Sequence, residues 1–388
     1  MGNCINNKLT LYLLISSLWL HPLLVQATAT LVPSPPPIEA TAYLLQDFDS
    51  GQILMEQKIH ERFEPASLTK LMTAYIIFAK LRAGHIHLTD LVKISEKAWR
   101  MSGSRMYIEV GQSIPLELLL KGMIIQSGND ATVALAEHVA GSEEMFVSMM
   151  NQQAQRFGLK NTLYTNSTGW PDVKQYSSPY DLTQIARAII QDFPEYYHWY
   201  SEKEFTYNNI TQPNRNLLLW RDQTVDGMKT GFTEVAGYCL VASAKRGNMR
   251  LMAILLGATS NKTRAGESQK ILDYGFRFFE THQLYAANQA IKQERVRQGN
   301  MDYLPLGLNS PLYVTVPKGQ YEQLIVTLQT APRMMAPVAK DKIVGTLKIS
   351  LGEEVISERP VVSLMAIEKG NFLKIWTDQL LWFFKKEK

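Results

Sequence analysis

Ser67 and Lys70 stand three residues apart in Pro65-Ala66-Ser67-Leu68-Thr69-Lys70, at the head of a run with helical periodicity. Leu68, Leu71, Met72, Tyr75, Ile76 and Ala79 recur at i, i+3, i+4 spacing, which predicts a helix with one buried face. Pro65 suits a helix entry. Residues three apart on a helix are neighbours, so the hydroxyl and the amine would meet on the first turn. The N-terminal end of a helix carries partial positive charge, which disfavours a second cation and would help Lys70 lose its proton. A neutral lysine beside a serine is a general base next to a nucleophile.

Two further triplets add polar groups. Ser127-Gly128-Asn129 interrupts the helical pattern between 116–125 and 131–140, where a break can turn both side chains into a cleft. Lys229-Thr230-Gly231 falls in a strand expected over 228–233. Each has a plainer reading alone: an N-cap serine, a helix–helix turn, an edge strand with a solvated lysine. Together and in this order they are far less expected by chance.

The elements that must position them divide the chain in two. Two apolar stretches around Asp49-Ser50-Gly51 read as a hairpin over 43–57. Helices are expected over 143–157 and 180–190, then strands at 205–207, 228–233, 238–244 and 251–256, then a helix over 264–281. Strands at both ends of a helical middle predict a mixed α/β (α+β) domain over 38–282. Beyond it, short strands at 312–316, 324–328, 344–349 and 361–365 predict a small all-β domain over 286–367, a β-sandwich. In the tail, 370–388, Phe372, Ile375, Trp376, Leu380 and Phe383 share one helical face, with Lys374, Thr377, Asp378 and Lys385 opposite. That is an amphipathic helix too short to span a bilayer but suited to lie in its interface, beside Lys385, Lys386 and Lys388. Packing on the β domain is the alternative.

Length and charge narrow the class. The 388 residues are 46% hydrophobic, with a net charge of +4 spread along the chain. No basic block with interleaved aromatics points to nucleic acid. Residues 1–29 read as a signal peptide, with an apolar run from Leu9 to Leu24 and small residues near Ala27 and Ala29. Once that segment is removed Cys239 is alone, so neither a disulfide nor a cysteine metal site is expected. No metal or cofactor is called for, and His85, His87 and Asp90 read as solvated loop residues.

With Ser-x-x-Lys, Ser-Gly-Asn and Lys-Thr-Gly in this order, the sequence resembles the penicillin-recognising serine acyltransferases. It looks most like the low-molecular-mass penicillin-binding proteins that are D-alanyl-D-alanine carboxypeptidases. The likeness implies a transpeptidase fold of the penicillin-binding and serine β-lactamase kind, then a β domain and a membrane-attached helix. Ser67 would attack the terminal D-Ala-D-Ala bond of a peptidoglycan stem peptide, Lys70 taking its proton. The N–H groups of Ser67 and Phe232 would form an oxyanion hole, Ser127 would relay a proton, and Asn129 would hold the acyl amide. Lys229 would keep Lys70 neutral. Thr230, Thr233 and Arg264 would bind the free carboxylate, and Gly231 and Phe232 complete the substrate-binding set. β-Lactams would acylate the same serine as covalent inhibitors, and the enzyme would sit in the periplasm on the outer face of the cytoplasmic membrane. Phe232 and Thr168 depart from the histidines frequent in relatives. A serine β-lactamase or an endopeptidase would share the motifs, although no Glu-x-x-Leu-Asn pattern lies between Asn129 and Lys229. A non-catalytic wall-binding scaffold is the reading from another class, and a homodimer is left open.

Overall fold

The computed structural model describes residues 32–331 and 333–385. The expected signal segment lies outside the described residues, as do Lys386 and Lys388.

One antiparallel sheet carries the first domain, in the order Ile53–Gln57, Ala42–Asp47, Met249–Ala258, Gly237–Arg246, Val225–Thr233. The N-terminal hairpin thus pairs with the last strands of the domain, Leu44 opposite Ile254. Side chains alternate faces along each strand. From Met249–Ala258, Met252, Ile254 and Leu256 enter the core shared with the helical middle, while Leu251, Ala253 and Leu255 enter the core under the Asn261–Phe278 helix. Strands buried on both faces read as continuous apolar runs, which is why these were legible.

The Lys70–Arg82 helix is corrected from the expected amphipathic form. Leu71, Met72, Ala74, Ile76, Ile77, Phe78 and Leu81 are all buried, and only Tyr75, Ala79 and Lys80 are partly open before Arg82. It runs through the middle of the helical half, with Leu119, Val133, Phe146 and Ile185 from four other helices in the same core. Each large apolar side chain buried there contributes about 1.5–3 kcal/mol. Phe157 and Phe193 flank Tyr75 edge-on at 4.8 and 5.0 Å, and its hydroxyl donates to Asp192 at 2.9 Å. The axle that bears Lys70 is therefore fixed from all sides.

The helix expected to reach residue 281 ends at Phe278, and Phe279–Tyr285 is a strand paired with Leu312–Pro317. The second domain has more strands than the four expected. Its six-stranded sheet runs Leu324–Thr330, Ile343–Leu351, Glu354–Ser363, Tyr303–Gly307, Ala290–Arg297, Met334–Met335. Leu312 and Val314 of the two-stranded ladder share a core with Leu304, Leu306, Leu347 and Val361 of the larger sheet. The domains meet through polar groups at the first hairpin: Thr281 donates to Asp47 at 2.7 Å, and the Ser50 and Thr315 hydroxyls lie 2.6 Å apart.

A terminal helix, Phe372–Lys385, follows the β domain. No helix among the described residues is long and apolar enough to cross a membrane.

Candidate active site

The nucleophile's turn is tighter than an α-helical start. Ala66–Thr69 form a single 3-10 turn, and the α-helix begins only at Lys70. Across that junction the Lys70 amine still reaches Ser67, Nζ to Oγ 3.0 Å. Its other two contacts are the Asn129 Oδ1 at 2.7 Å and the Thr168 carbonyl at 2.6 Å. Neither of these oxygens can donate, and the Asn129 amide is oriented by its own donation to the Ser102 carbonyl at 2.7 Å. A neutral Lys70 therefore places its two N–H bonds on Asn129 and Thr168, leaving the lone pair directed at the Ser67 hydroxyl.

Ser127 lies at the break between the Leu116–Ile125 and Asn129–Ala140 helices, with φ +67°. A left-handed serine is costly and persists where its surroundings hold it. Here Asn129 N–H donates to the Ser104 carbonyl at 2.7 Å, and Gly128 N–H to the Gly122 carbonyl at 3.0 Å. Asp130, fully buried, accepts the Met106 and Tyr107 N–H groups at 2.8 and 2.9 Å and ties residues 102–107 to this turn. Lys229, on the edge strand, donates to the Ser127 Oγ at 2.8 Å. Gly231 lets that strand lie on the nucleophile's turn, since a Cβ there would stand 3.2 Å from both the Ala66 methyl and the Pro65 carbonyl.

These groups border a cleft of about 810 Å³. Ser67, Ser127 and Asn129 line its floor, Thr230, Gly231, Phe232 and Thr233 one wall, and Trp170 and Trp220 are further lining residues. Arg264, in the first turn of its helix and buried, also lines it; three of its N–H donors go to the Arg215 carbonyl, the Cys239 carbonyl and Asn261 Oδ1. Phe232 is half exposed and packs on Tyr238, ring centroids 4.4 Å apart. Every site residue expected from the sequence is thus in or directly behind one cleft.

The electrostatics add burial and Arg215 to the expected causes of Lys70's acidity. Burial lowers its pKa most, then the Arg215 guanidinium, bringing it from 10.5 to about 7. Lys70 and Lys229 also repel one another across the site. Lys229 is itself driven well below its ordinary range by burial and by Lys70, Arg215 and Arg264. Two buried amines and two guanidiniums crowd one site, so it holds protons weakly and favours an incoming anion.

Arg215 escaped the sequence reading. It sits in a Pro-Asn-Arg-Asn loop with no diagnostic spacing, and donates to the Ser104 Oγ at 2.6 Å. The loop behind Lys70 was noted only for Thr168, without a role. Asn166 Oδ1 accepts the N–H groups of Gly169 and Trp170 at 2.8 and 3.0 Å, and Glu143 accepts the Ser167 N–H and hydroxyl at 3.0 and 2.7 Å. The Asn-Ser-Thr-Gly run is a turn signal that could have pointed to it. Gly169 has φ +82°, and a Cβ there would stand 1.8 Å from the Ala66 carbonyl oxygen.

Residues 29–260 match the family described as D-alanyl-D-alanine carboxypeptidase. The chain belongs to that family. Residues 279–369 match a second family, the C-terminal domain of penicillin-binding protein 5. The chain is 41% identical over 350 residues to D-alanyl-D-alanine carboxypeptidase DacC of Escherichia coli, covering 88% of each. It is 43% identical over 351 residues to DacA of Haemophilus influenzae, covering 88% of this chain and 89% of the relative. Penicillin binding protein 5 from Haemophilus influenzae has a similar solved structure, with a TM-score of 0.85, 41% identity, and 87% and 100% of the two chains covered. The protein is a serine-type D-alanyl-D-alanine carboxypeptidase of the penicillin-binding protein 5 kind.

For this carboxypeptidase the Thr168 departure has a physical answer. The contact to Lys70 uses the main-chain carbonyl, and the Thr168 hydroxyl is turned to Asn166 Oδ1 at 3.1 Å. The change of side chain leaves the contact intact.

Proposed function

We propose that the enzyme removes the terminal D-alanine of peptidoglycan stem peptides through an acyl-Ser67 intermediate. Ser67 Oγ attacks the carbonyl carbon of the D-Ala-D-Ala bond and its proton passes to Lys70. The tetrahedral oxyanion is received by the N–H groups of Ser67 and Phe232. The leaving nitrogen takes its proton through Ser127, served by Lys229, and free D-alanine departs. Water then cleaves the Ser67 ester, releasing the shortened peptide and restoring the hydroxyl. Asn129 holds the acyl amide, while Arg264 with Thr230 and Thr233 receives the substrate carboxylate.

The observation that carries this reading is Lys70 Nζ, aimed at Ser67 Oγ by two oxygens that can only accept. A fluorescent penicillin tests it: the label is expected on the Ser67 peptide after digestion and absent in Ser67→Ala. Label persisting in Ser67→Ala would remove the serine from its role.

Residues 1–29 act in this reading as a cleaved export signal, and the catalytic body works in the periplasm. The tail helix holds it to the outer face of the cytoplasmic membrane. Support comes from exposed Phe372, Leu373 and Trp376 and from the basic end of the sequence. Truncation after Gly370 should release active enzyme from membranes; a truncated protein still pelleting with them would refute the anchor.

A further inference from the structure

Near the start of the Phe372–Lys385 helix, Lys374 and Asp378 are turned onto the protein, and one loop holds them there. Asp378 is buried, and its Oδ2 accepts the Gln298 N–H at 2.6 Å. Lys374 pairs with Asp302. Just before the helix, Gly370 N–H donates to the Gln298 carbonyl at 2.8 Å, and Asn300 N–H donates to the Glu368 carbonyl at 2.9 Å. Residues 298–302 therefore grip the start of the helix. In the same first turns Phe372 and Leu373, each 73% exposed, and Trp376, 55% exposed, face outward. The gripping loop is apolar at its own surface too: Met301 and Tyr303, which flank Asp302, are 45% and 57% exposed.

We infer that Met301 and Tyr303 continue the outward face of the helix as one surface that enters the headgroup region of an anionic phospholipid bilayer. The β domain then touches lipid directly, and the helix is a fixed foot rather than a loose tether. The inference rests on the membrane reading of the tail given above. Clustered exposed apolar side chains mark an interaction surface rather than ordinary scatter. Charge selects lipid as the occupant. Over 368–388 the sequence carries five lysines against three acidic residues. Of the carboxylates at the grip, Asp302 is paired with Lys374 and Asp378 accepts a backbone N–H, while exposed Glu368 stands next to Lys369 in the sequence. Tyrosine and tryptophan are the aromatic residues that favour the depth of the headgroups.

The test places a polarity-sensitive fluorophore on single cysteines in full-length protein carrying Cys4→Ser. Cys239 is buried and does not compete for label. Met301→Cys, Trp376→Cys and Val173→Cys report the loop, the helix and a fully exposed position of the catalytic domain. Vesicles of phosphatidylethanolamine and phosphatidylglycerol should shift emission to the blue and raise intensity severalfold at 376 and 301, and leave 173 unchanged. In Asp302→Asn combined with Asp378→Asn the signal at 376 should persist while that at 301 falls. A response at 376 alone in the unmodified grip overturns the second contact and leaves the helix anchor standing. Silence at both overturns the anchor with it. A rise at 301 that follows protein concentration without vesicles identifies a second copy of the chain and overturns the lipid assignment.

Discussion

The Lys70 amine stands 3.0 Å from the Ser67 hydroxyl with its two remaining contacts made to oxygens that accept only. In this geometry a neutral amine turns its lone pair to the Ser67 hydroxyl and can take the serine proton. Lys70→Ala should cut the acylation rate by about 10²–10⁴-fold, the usual loss when a positioned base is removed. Stopped-flow acylation by a fluorescent penicillin measures it. A loss under tenfold would mean that another group takes the proton.

The same base predicts a pH dependence. Acylation requires Lys70 neutral, so the rate should rise as pH increases through about 7 and level off above. Arg215 is a cation that pushes this value down. In Arg215→Ala the amine should hold its proton more strongly, so the acid limb moves to higher pH and the deficit is larger at pH 6 than at pH 9. Arg215→Lys keeps a charge and should restore much of the shift. A uniform loss at every pH would assign Arg215 to packing through its Ser104 contact instead.

Gly169 should tolerate no side chain. A methyl group there would overlap the Ala66 carbonyl oxygen, one residue from the nucleophile, at a φ of +82°. Gly169→Ala should cost more than about 2 kcal/mol of stability. That corresponds to a fall in Tm of about 5 °C, with slower acylation because Thr168 and Ala66 both shift. Thermal denaturation and acylation kinetics on the same preparation check this. An unchanged Tm with normal acylation would show the loop to be freely displaceable.

What the sequence disclosed depends on how each feature is encoded. Ser67, Lys70, Ser127, Asn129 and Lys229 were legible because their partners recur at short, ordered spacings. The hairpin and the central strands were legible because their apolar residues are continuous. Lys70's contact to Thr168 was not, since a backbone carbonyl leaves no trace in residue identity. Glu143 and Asn166 act on that carbonyl through a loop, again by main-chain contacts. The strand Ala290–Arg297 was hidden by Lys292, Gln293, Glu294 and Arg295, which pair with Leu306, Pro305, Leu304 and Tyr303 yet leave their own side chains open or only partly covered. The burial of the Lys70–Arg82 helix was hidden for the opposite reason: Thr73 and Ala74 look like a neutral face, yet both are fully buried, and Thr73 donates to the Ser167 carbonyl at 2.7 Å.

Arg264 offers the sharpest separation of binding from chemistry. It is buried at the wall of the cleft, its guanidinium held by the Arg215 and Cys239 carbonyls and by Asn261, with no carboxylate among its hydrogen-bond partners in the described residues. Burial and the neighbouring Arg215 bring its pKa down to about 10, so it remains charged at neutral pH. A buried cation without an acidic partner is completed by an anionic ligand, and the terminal carboxylate of the peptide is the anion the reaction supplies. Truncating one side of such a pair costs about 2–5 kcal/mol. Arg264→Ala should therefore lower kcat/KM for a D-Ala-D-Ala peptide by about 10²-fold or more. The same peptide with its terminal carboxylate amidated, already a poor substrate for the parent enzyme, should be little affected by the substitution. Arg264→Lys keeps a charge but loses the planar fork, and should recover only part of the loss. Equal losses on the acid and the amide, accompanied by a lower Tm, would instead make Arg264 a brace between the Arg215 loop and the Gly237–Arg246 strand.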